Sequence, residues 1–569
     1  MASPAFPEPP ISLSSTPIDK VEMIVQDMNP QKSVWVHLSI GERIRLLEQC
    51  IANTNQVAKE WVEAVCNAKG LPPGEAIRGE AWFSGPVTTI RNMRLLIDTL
   101  KHNGQPRAPS SWFRPNGQHV AQVFPYEAYD KILFSGISAE VWLKAGHPTT
   151  QGKIYREKLQ GIFGDGGLSL ILGAGNITSI GPMDALHKLF VEDEIVILKT
   201  NPVNAYVGEI LERAFAPLIE RKFFAVVHGG SEVGQYLCRH QDITSIHITG
   251  SDKTHDAIIW GPGDKQQEER KQKKQPLLDK PITSELGCVT PVFVVPGPWS
   301  EKELHYQAQH VVSMVTHNAS FNCNAAKVLV TASGWELRDS FLHLVQKYLA
   351  DAPPRKAYYP GAQNRFEGFI KAYPEARKLG KESDQVLPWT FIPNVSAKKE
   401  EYALTTEAFC GVIAHIDIDA TTADDFLEKA IHFANDGIWG TLSCSMLIHP
   451  ETEKRYPHAF DQAVSNLKYG GIGINVWPGL IYGLVVTTWG AYPGHSLDEV
   501  GSGIGVVHNS FLFDHPEKSV VRAPFQIKPK PVWFYNHRTL AHVAEAMMHF
   551  ESAPSPIKLP KIILPALAG

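Results

Sequence analysis

Leu168-Ser169-Leu170-Ile171-Leu172-Gly173-Ala174-Gly175-Asn176 decides the fold. It is a short apolar run ending in two glycines and an amide, and four further apolar runs follow it: Ile195 to Leu198, Phe223 to Val227, Ile246 to Thr249 and Val292 to Val295. Helical patterns separate them. Strands alternating with helices require right-handed crossovers and hence a parallel, doubly wound α/β sheet. Such sheets bind ligands beyond the carboxyl ends of their strands, so the residues after each strand carry the interest. These are Gly175 and Asn176 after the first strand, Lys199-Thr200-Asn201-Pro202 after the second, His228-Gly229-Gly230 after the third, and Gly250-Ser251 after the fourth, where a helix opens with free N–H groups suited to phosphate. A glycine after a strand usually marks only a turn; four such turns in one sheet say more. The spacing GxGxxG is absent from the first turn, which argues against an ordinary dinucleotide cradle.

Outward from that core, Ser39-Ile40-Gly41-Glu42 has the form of a capping box opening a helix that stops at Gly70, and a second helix is predicted over Val87 to Leu100. Lys265 to Lys274 is expected to be a solvated loop, Leu337 to Glu400 to be loop-rich, and the chain from Ile527 to lie across a surface. Met1 to Pro17 lacks the basic and apolar regions of a secretory signal and is expected to be a poorly ordered lead-in.

The 569 residues are 43% hydrophobic with a net charge of -5, enough for two or three cored domains and no indication of a nucleic-acid or membrane-surface partner. No apolar run is clean enough to span a bilayer. Seven scattered cysteines form neither a CxxC nor a zinc spacing, the usage of a reducing, cytoplasmic setting, and no HExxH occurs, so no metal site is expected.

Two further stretches carry chemistry. Ser284-Glu285-Leu286-Gly287-Cys288 puts a carboxyl beside apolar residues, where its pKa can be tuned, although most such glutamates are simply solvated. His317-Asn318-Ala319-Ser320-Phe321-Asn322-Cys323 links an amphipathic helix to the strand Val328-Leu329-Val330, which puts Cys323 on a connection. A lone cysteine is more often a small core hydrophobe than a nucleophile. Trp477, Tyr482 and Trp489 are either the lining of an apolar entrance or core.

In their order, LGAGN (Asn176), ILKTNP (Lys199), ITGS (Gly250, Ser251), SELG (Glu285), NASFNC (Cys323), TEAF (Glu407, Phe409) and INVW (Asn475) make the chain resemble the aldehyde dehydrogenase superfamily from its first helices to about Phe513. The resemblance implies two doubly wound α/β domains with a β-strand oligomerisation element. The cofactor-binding domain would comprise 1–128 and 164–290, the catalytic domain 291–513, the oligomerisation element 129–163 and 514–535, and a tail 536–569. It also implies a homodimer or homotetramer that oxidises a small aldehyde to the acid with NADP or NAD. Cys323 would be the nucleophile, Asn176 and the Cys323 N–H the oxyanion donors, and Glu285 the base. Gly175, Lys199, Asn201, Gly229, Gly250, Ser251, Gly287, Glu407 and Phe409 would hold the cofactor. The acidic residue that many members place three positions after the lysine is here Pro202, which admits NADP. A coenzyme A-acylating enzyme and a non-catalytic binding member are the rival readings.

Overall fold

In a computed structural model, described over residues 13–569, the chain builds two large sheets and a small antiparallel one that pairs Trp489–Gly490 with Val506–Val507. The expected lead-in lies largely outside the described residues. The first sheet has the spatial order Gly503–Ile504, Ile282–Leu286, Ser245–Gly250, Gly167–Leu172, Glu194–Lys199, Phe224–Val227, parallel except for the first, two-residue edge. Gly167–Leu172 is central and earliest in sequence. The chain winds outward from it on one side, then returns to wind outward on the other. Its carboxyl end is therefore the point where strand order reverses, the position at which such sheets leave a crevice. Asn176 leaves that point.

The second sheet has eleven strands. Seven run parallel: Pro516–Arg522, Gly471–Ile474, Ser443–Leu447, Pro291–Val294, Val328–Ala332, Val412–Ile418 and Trp389–Ile392. The antiparallel ribbon Ser110–Phe113, His119–Phe124, Ser138–Leu143 continues the sheet on one side, and Arg377–Leu379 closes the other. Two apolar cores result, one under each large sheet.

The first core is roofed by the helix Ile40–Lys69. Its start is fixed by a complete Ser39/Glu42 capping box and its end by Gly70 at φ 64°, so the local sequence alone sets both termini. The helix Thr88–Lys101 packs beside it.

Four expectations are corrected. The run at Val292 belongs to the second sheet (Pro291–Val294), and the fifth parallel strand of the first sheet is Ile282–Leu286, which carries Glu285. The segment around Lys265 is the helix Asp264–Lys273 rather than a loop, because Gln, Glu, Lys and Arg are good helix formers even without an apolar stripe. Leu337 to Glu400 contains the helices Arg338–Asp351 and Ala362–Ala372; Phe341, Val345 and Leu349 give the first a buried stripe at helical spacing.

The end of the chain does not lie across a surface. Leu540, Val543, Ala544, Met547 and Met548 form the buried face of the helix Leu540–Ser552, which enters the first core and is followed by the helix Leu559–Leu567. Glu551 anchors it, pairing with Arg91 at 2.8 Å and Arg94 at 2.7 Å, both on Thr88–Lys101. Breaking a buried pair on one side leaves an uncompensated charge and costs about 3–5 kcal/mol. Glu551→Ala should therefore lower the apparent unfolding temperature by several degrees in differential scanning fluorimetry. An unchanged transition would contradict this anchoring role.

Candidate active site

The helix Glu301–Thr316 begins at a Ser300/Glu303 capping box and runs out into His317–Ser320. There the backbone is left-handed three times in succession, at Asn318 (φ 53°), Ala319 (φ 54°) and Ser320 (φ 68°). For residues with a side chain each such step costs about 1–2 kcal/mol, so neighbours must hold the turn. Asn318 Nδ2 donates to the Phe321 carbonyl and to Asn322 Oδ1, both at 3.0 Å, while the Asn318 N–H donates to Glu80 Oε2 at 3.2 Å. Lys69, last residue of the helix Ile40–Lys69, donates to Asn318 Oδ1 at 2.7 Å. Cys323 follows in a tight turn whose carbonyl accepts from Thr290 Oγ1 (3.1 Å) and Lys327 Nζ (3.3 Å).

Asn176 is tied to the same junction. Its carbonyl accepts from Lys69 Nζ at 2.9 Å, from Tyr358 Oη at 3.1 Å and from Asn318 Nδ2 at 3.3 Å. Its side-chain Nδ2 donates to the Phe321 carbonyl at 2.9 Å. An amide nitrogen carries two hydrogens, so one donor remains beside the cavity that Asn176 lines. Burial pushes the Lys69 amine down to about 7, against the pull of the Glu80 carboxylate. Glu80 is buried too, but the Arg355 guanidinium at 2.8 Å, with His317, holds it down at about 2.

Glu285 sits near the end of the strand Ile282–Leu286, 3% exposed and paired in register with Gly503. Burial raises its carboxyl to about 7; the neighbouring Cys323 thiol and Trp489 indole oppose the rise, and Glu407 adds to it. The indole leans on the carboxylate without completing a hydrogen bond, since Trp489 Nε1 and Glu285 Oε1 are both unpaired. Burial, and then the Glu285 charge, push the Cys323 thiol well above its ordinary value. Cys323, Glu285 and Asn176 therefore line one cavity of about 260 Å³, together with Trp477, Tyr482 and Trp489.

The residues expected to hold a cofactor divide. Glu407 is 2% exposed and its Oε1 pairs with Lys327 Nζ at 3.2 Å. Phe409, at φ 41°, receives Arg365 Nη2 on its carbonyl at 3.1 Å and packs against Phe321 and Tyr359. Gly250 has open space around it, its nearest neighbour being its own strand's Ile248, and Ser251 caps the helix Asp252–Trp260, whose first N–H groups suit a phosphate. Lys199 ends its strand and is buried.

The others have structural partners. Asn201 caps the turn Pro202–Val207, and Gly175 is needed because a Cβ there would meet Asn201 Oδ1 at 2.7 Å. Gly229 adopts φ 143° against Val233, and the Gly287 carbonyl accepts from Ser502 Oγ at 2.8 Å.

The fold has known counterparts. The model of the aldehyde dehydrogenase family matches residues 190–363. Aldehyde dehydrogenase 21 from Physcomitrella patens, solved with the reaction product succinate, is 14% identical and superposes with a TM-score of 0.62 over 89% of this chain and 90% of its own. The aldehyde dehydrogenase KauB from Pseudomonas aeruginosa is 16% identical with a TM-score of 0.61, covering 90% of each chain. An NADP-dependent glyceraldehyde-3-phosphate dehydrogenase from Bacillus halodurans C-125, complexed with NADP, is 16% identical with a TM-score of 0.59 over 90% and 92%.

The chain has the aldehyde dehydrogenase fold. No curated protein matches it in sequence. No helix among the described residues is long and apolar enough to cross a membrane.

Sequence reasoning did not find the support around this aldehyde dehydrogenase-fold cavity. Lys69 reads as an ordinary lysine before a C-capping glycine, and Asn318, although inside the quoted stretch, has no role that its neighbours in sequence reveal. Tyr358, Glu80 and Arg355 come from distant segments. The left-handed run was the one usable signal, since asparagine tolerates that conformation better than most residues.

The electrostatics give a direct test. Glu285→Gln removes the charge that, after burial, does most to hold the Cys323 thiol up, so its pKa should fall. Alkylation of Cys323 by iodoacetamide, followed by peptide mass spectrometry across pH, should shift to lower pH in the variant. An unshifted profile would show that Glu285 does not act on the sulfur.

Proposed function

We propose that this chain is an NAD(P)-dependent aldehyde dehydrogenase working through a cysteine thioester. The observation that carries the reading is the convergence of a thiol, a spare amide donor and a carboxyl of pKa about 7 on one cavity. The Cys323 sulfur attacks the aldehyde carbon as its proton passes to Glu285. The oxygen that becomes negative is met by the free N–H of Asn176 and the Cys323 backbone N–H, each worth about 2.7–4 kcal/mol in a dry site. NAD(P), when bound, supplies the oxidation as hydride acceptor. Glu407 and Phe409 would position its nicotinamide end, Lys199 its adenosine ribose and the Gly250-Ser251 helix start its pyrophosphate. Gly175, Asn201, Gly229 and Gly287 would shape the cleft rather than donate to it.

Hydride loss leaves a thioester on Cys323. Glu285, its first proton released, takes one from water; the hydroxide adds to the carbonyl, the C–S bond breaks, and the acid leaves as the sulfur is reprotonated. This use of a buried base favours water over coenzyme A as acceptor. Pro202, in place of an acidic residue, leaves NADP unopposed by a carboxylate there. A homodimer or homotetramer would form through the ribbon, whose edge strand Ser110–Phe113 exposes Trp112 and Phe113.

The first test is the reduction of NAD or NADP by purified protein with an aldehyde panel, with and without coenzyme A. Because Glu285 is protonated below about 7 and only its ionised form accepts a proton, kcat should fall about tenfold per pH unit below that value. Asn176→Ala should lower kcat about 10²–10³-fold. A kcat that is flat from pH 5 to 8, or acyl-coenzyme A as the main product, would contradict the assignment of Glu285.

A further inference from the structure

We propose that this cavity takes long, uncharged aliphatic aldehydes and that the two C-terminal helices form the wall that selects them. The inference rests on the dehydrogenase reading for the reacting end and on the cavity's own walls for the rest. From Cys323 and Trp477 the lining continues through Ile180 and Leu480 to residues beyond the second sheet: Trp533, Leu540, Val543, Met547, Ile562 and Ala566. Thus Leu540–Ser552 and Leu559–Leu567, which follow the last strand of both sheets, close a space that begins at the nucleophile.

Arg91, Glu551 and Glu80, the buried charges of the lining away from the reacting end, are already matched. Arg91 pairs with Glu551 at 2.8 Å and Asp130 at 3.3 Å, and Glu80 pairs with Arg355 at 2.8 Å. They offer an anionic substrate no buried cation that is free of a carboxylate. Lys528 and Lys530 also border the cavity, but Lys528 is exposed and Lys530 half-exposed, so they face solvent at its rim. The rim is otherwise apolar: Ile132, which lines the cavity, is 52% exposed, and Leu564, between Ile562 and Ala566, is 66% exposed. A molecule entering there meets hydrocarbon before it meets Cys323. Apolar walls with few polar groups bind by area removed from water, so affinity should grow with chain length while the reacting end stays the same.

The experiment uses the full chain with straight-chain aldehydes from two to twelve carbons. Succinic semialdehyde and glyceraldehyde 3-phosphate serve as charged competitors. Each methylene buried should raise kcat/KM about three- to fourfold until the cavity is filled, giving decanal at least about a hundredfold advantage over butanal. Met547→Trp and Ile562→Trp fill the wall and should cut the decanal-to-butanal ratio at least about tenfold, whereas Met547→Leu, of similar volume, should keep it.

Calorimetric binding of decanol and butanol is read in parallel and needs no turnover. Decanol should bind far more tightly than butanol, and the tryptophan variants should weaken it. A ratio near one, or preference for either charged aldehyde, would overturn the substrate class while leaving the dehydrogenase reading intact. Should no aldehyde reduce either cofactor, the dehydrogenase reading fails, and decanol binding alone decides the cavity. Tight decanol binding lost in the tryptophan variants then supports it, and equal binding of the two alcohols overturns it.

Discussion

The geometry of the candidate site depends on one buried junction, where the Lys69 amine meets the Asn176 carbonyl and the Asn318 side chain. Three parts of the chain that are remote in sequence come together there: the end of the long N-terminal helix, the turn leaving the reversal point of the first sheet, and the left-handed turn before Cys323. Without it the three successive positive φ angles would have little to oppose their strain, and the amide and the sulfur would have no common reference. Lys69 is well suited to the task because it can donate several hydrogen bonds from one atom. Its burial is tolerated because the Glu80 carboxylate favours its charged form, against the opposing charge of Arg355, and because the Asn176 and Asn318 oxygens accept its hydrogen bonds.

The order of events in the proposed chemistry follows from the same enclosure. Burial moves the Glu285 carboxyl and the Cys323 thiol upward together, which keeps the sulfur protonated at rest and leaves the carboxyl near half-ionised at neutral pH. A resting thiol is protected from adventitious oxidation and alkylation. The carboxyl is poised to accept protons from either the thiol or water, which lets one residue serve both halves of the reaction.

The setting of Cys323 was legible because it is local: an amphipathic helix, a turn rich in Asn and Ser, and a strand follow one another in sequence. Four strands of the first sheet, Gly167–Leu172, Glu194–Lys199, Phe224–Val227 and Ser245–Gly250, were legible for the same reason, as was the helix between Ser39 and Gly70. Assigning the run at Val292 to the wrong sheet shows the limit, since alternation identifies a strand and not its neighbours. Lys69, Tyr358 and Arg355 were not legible because their importance lies in partners hundreds of residues away. The C-terminal helices were obscured by the prolines and aromatics before Leu540, although the stripe from Leu540 to Met548 has an ordinary helical period.

The central claim is that the substrate becomes covalently attached to one sulfur and leaves by hydrolysis. The most direct measurement is rapid-quench peptide mass spectrometry of the unaltered chain mixed with decanal and NADP or NAD and stopped within the first turnover. The account predicts that the peptide containing Cys323 gains the mass of the decanoyl group in place of its thiol hydrogen, in step with reduced cofactor and at up to one equivalent per chain. Reduced cofactor formed with no adduct on Cys323, or with the acyl group on another cysteine, would contradict it.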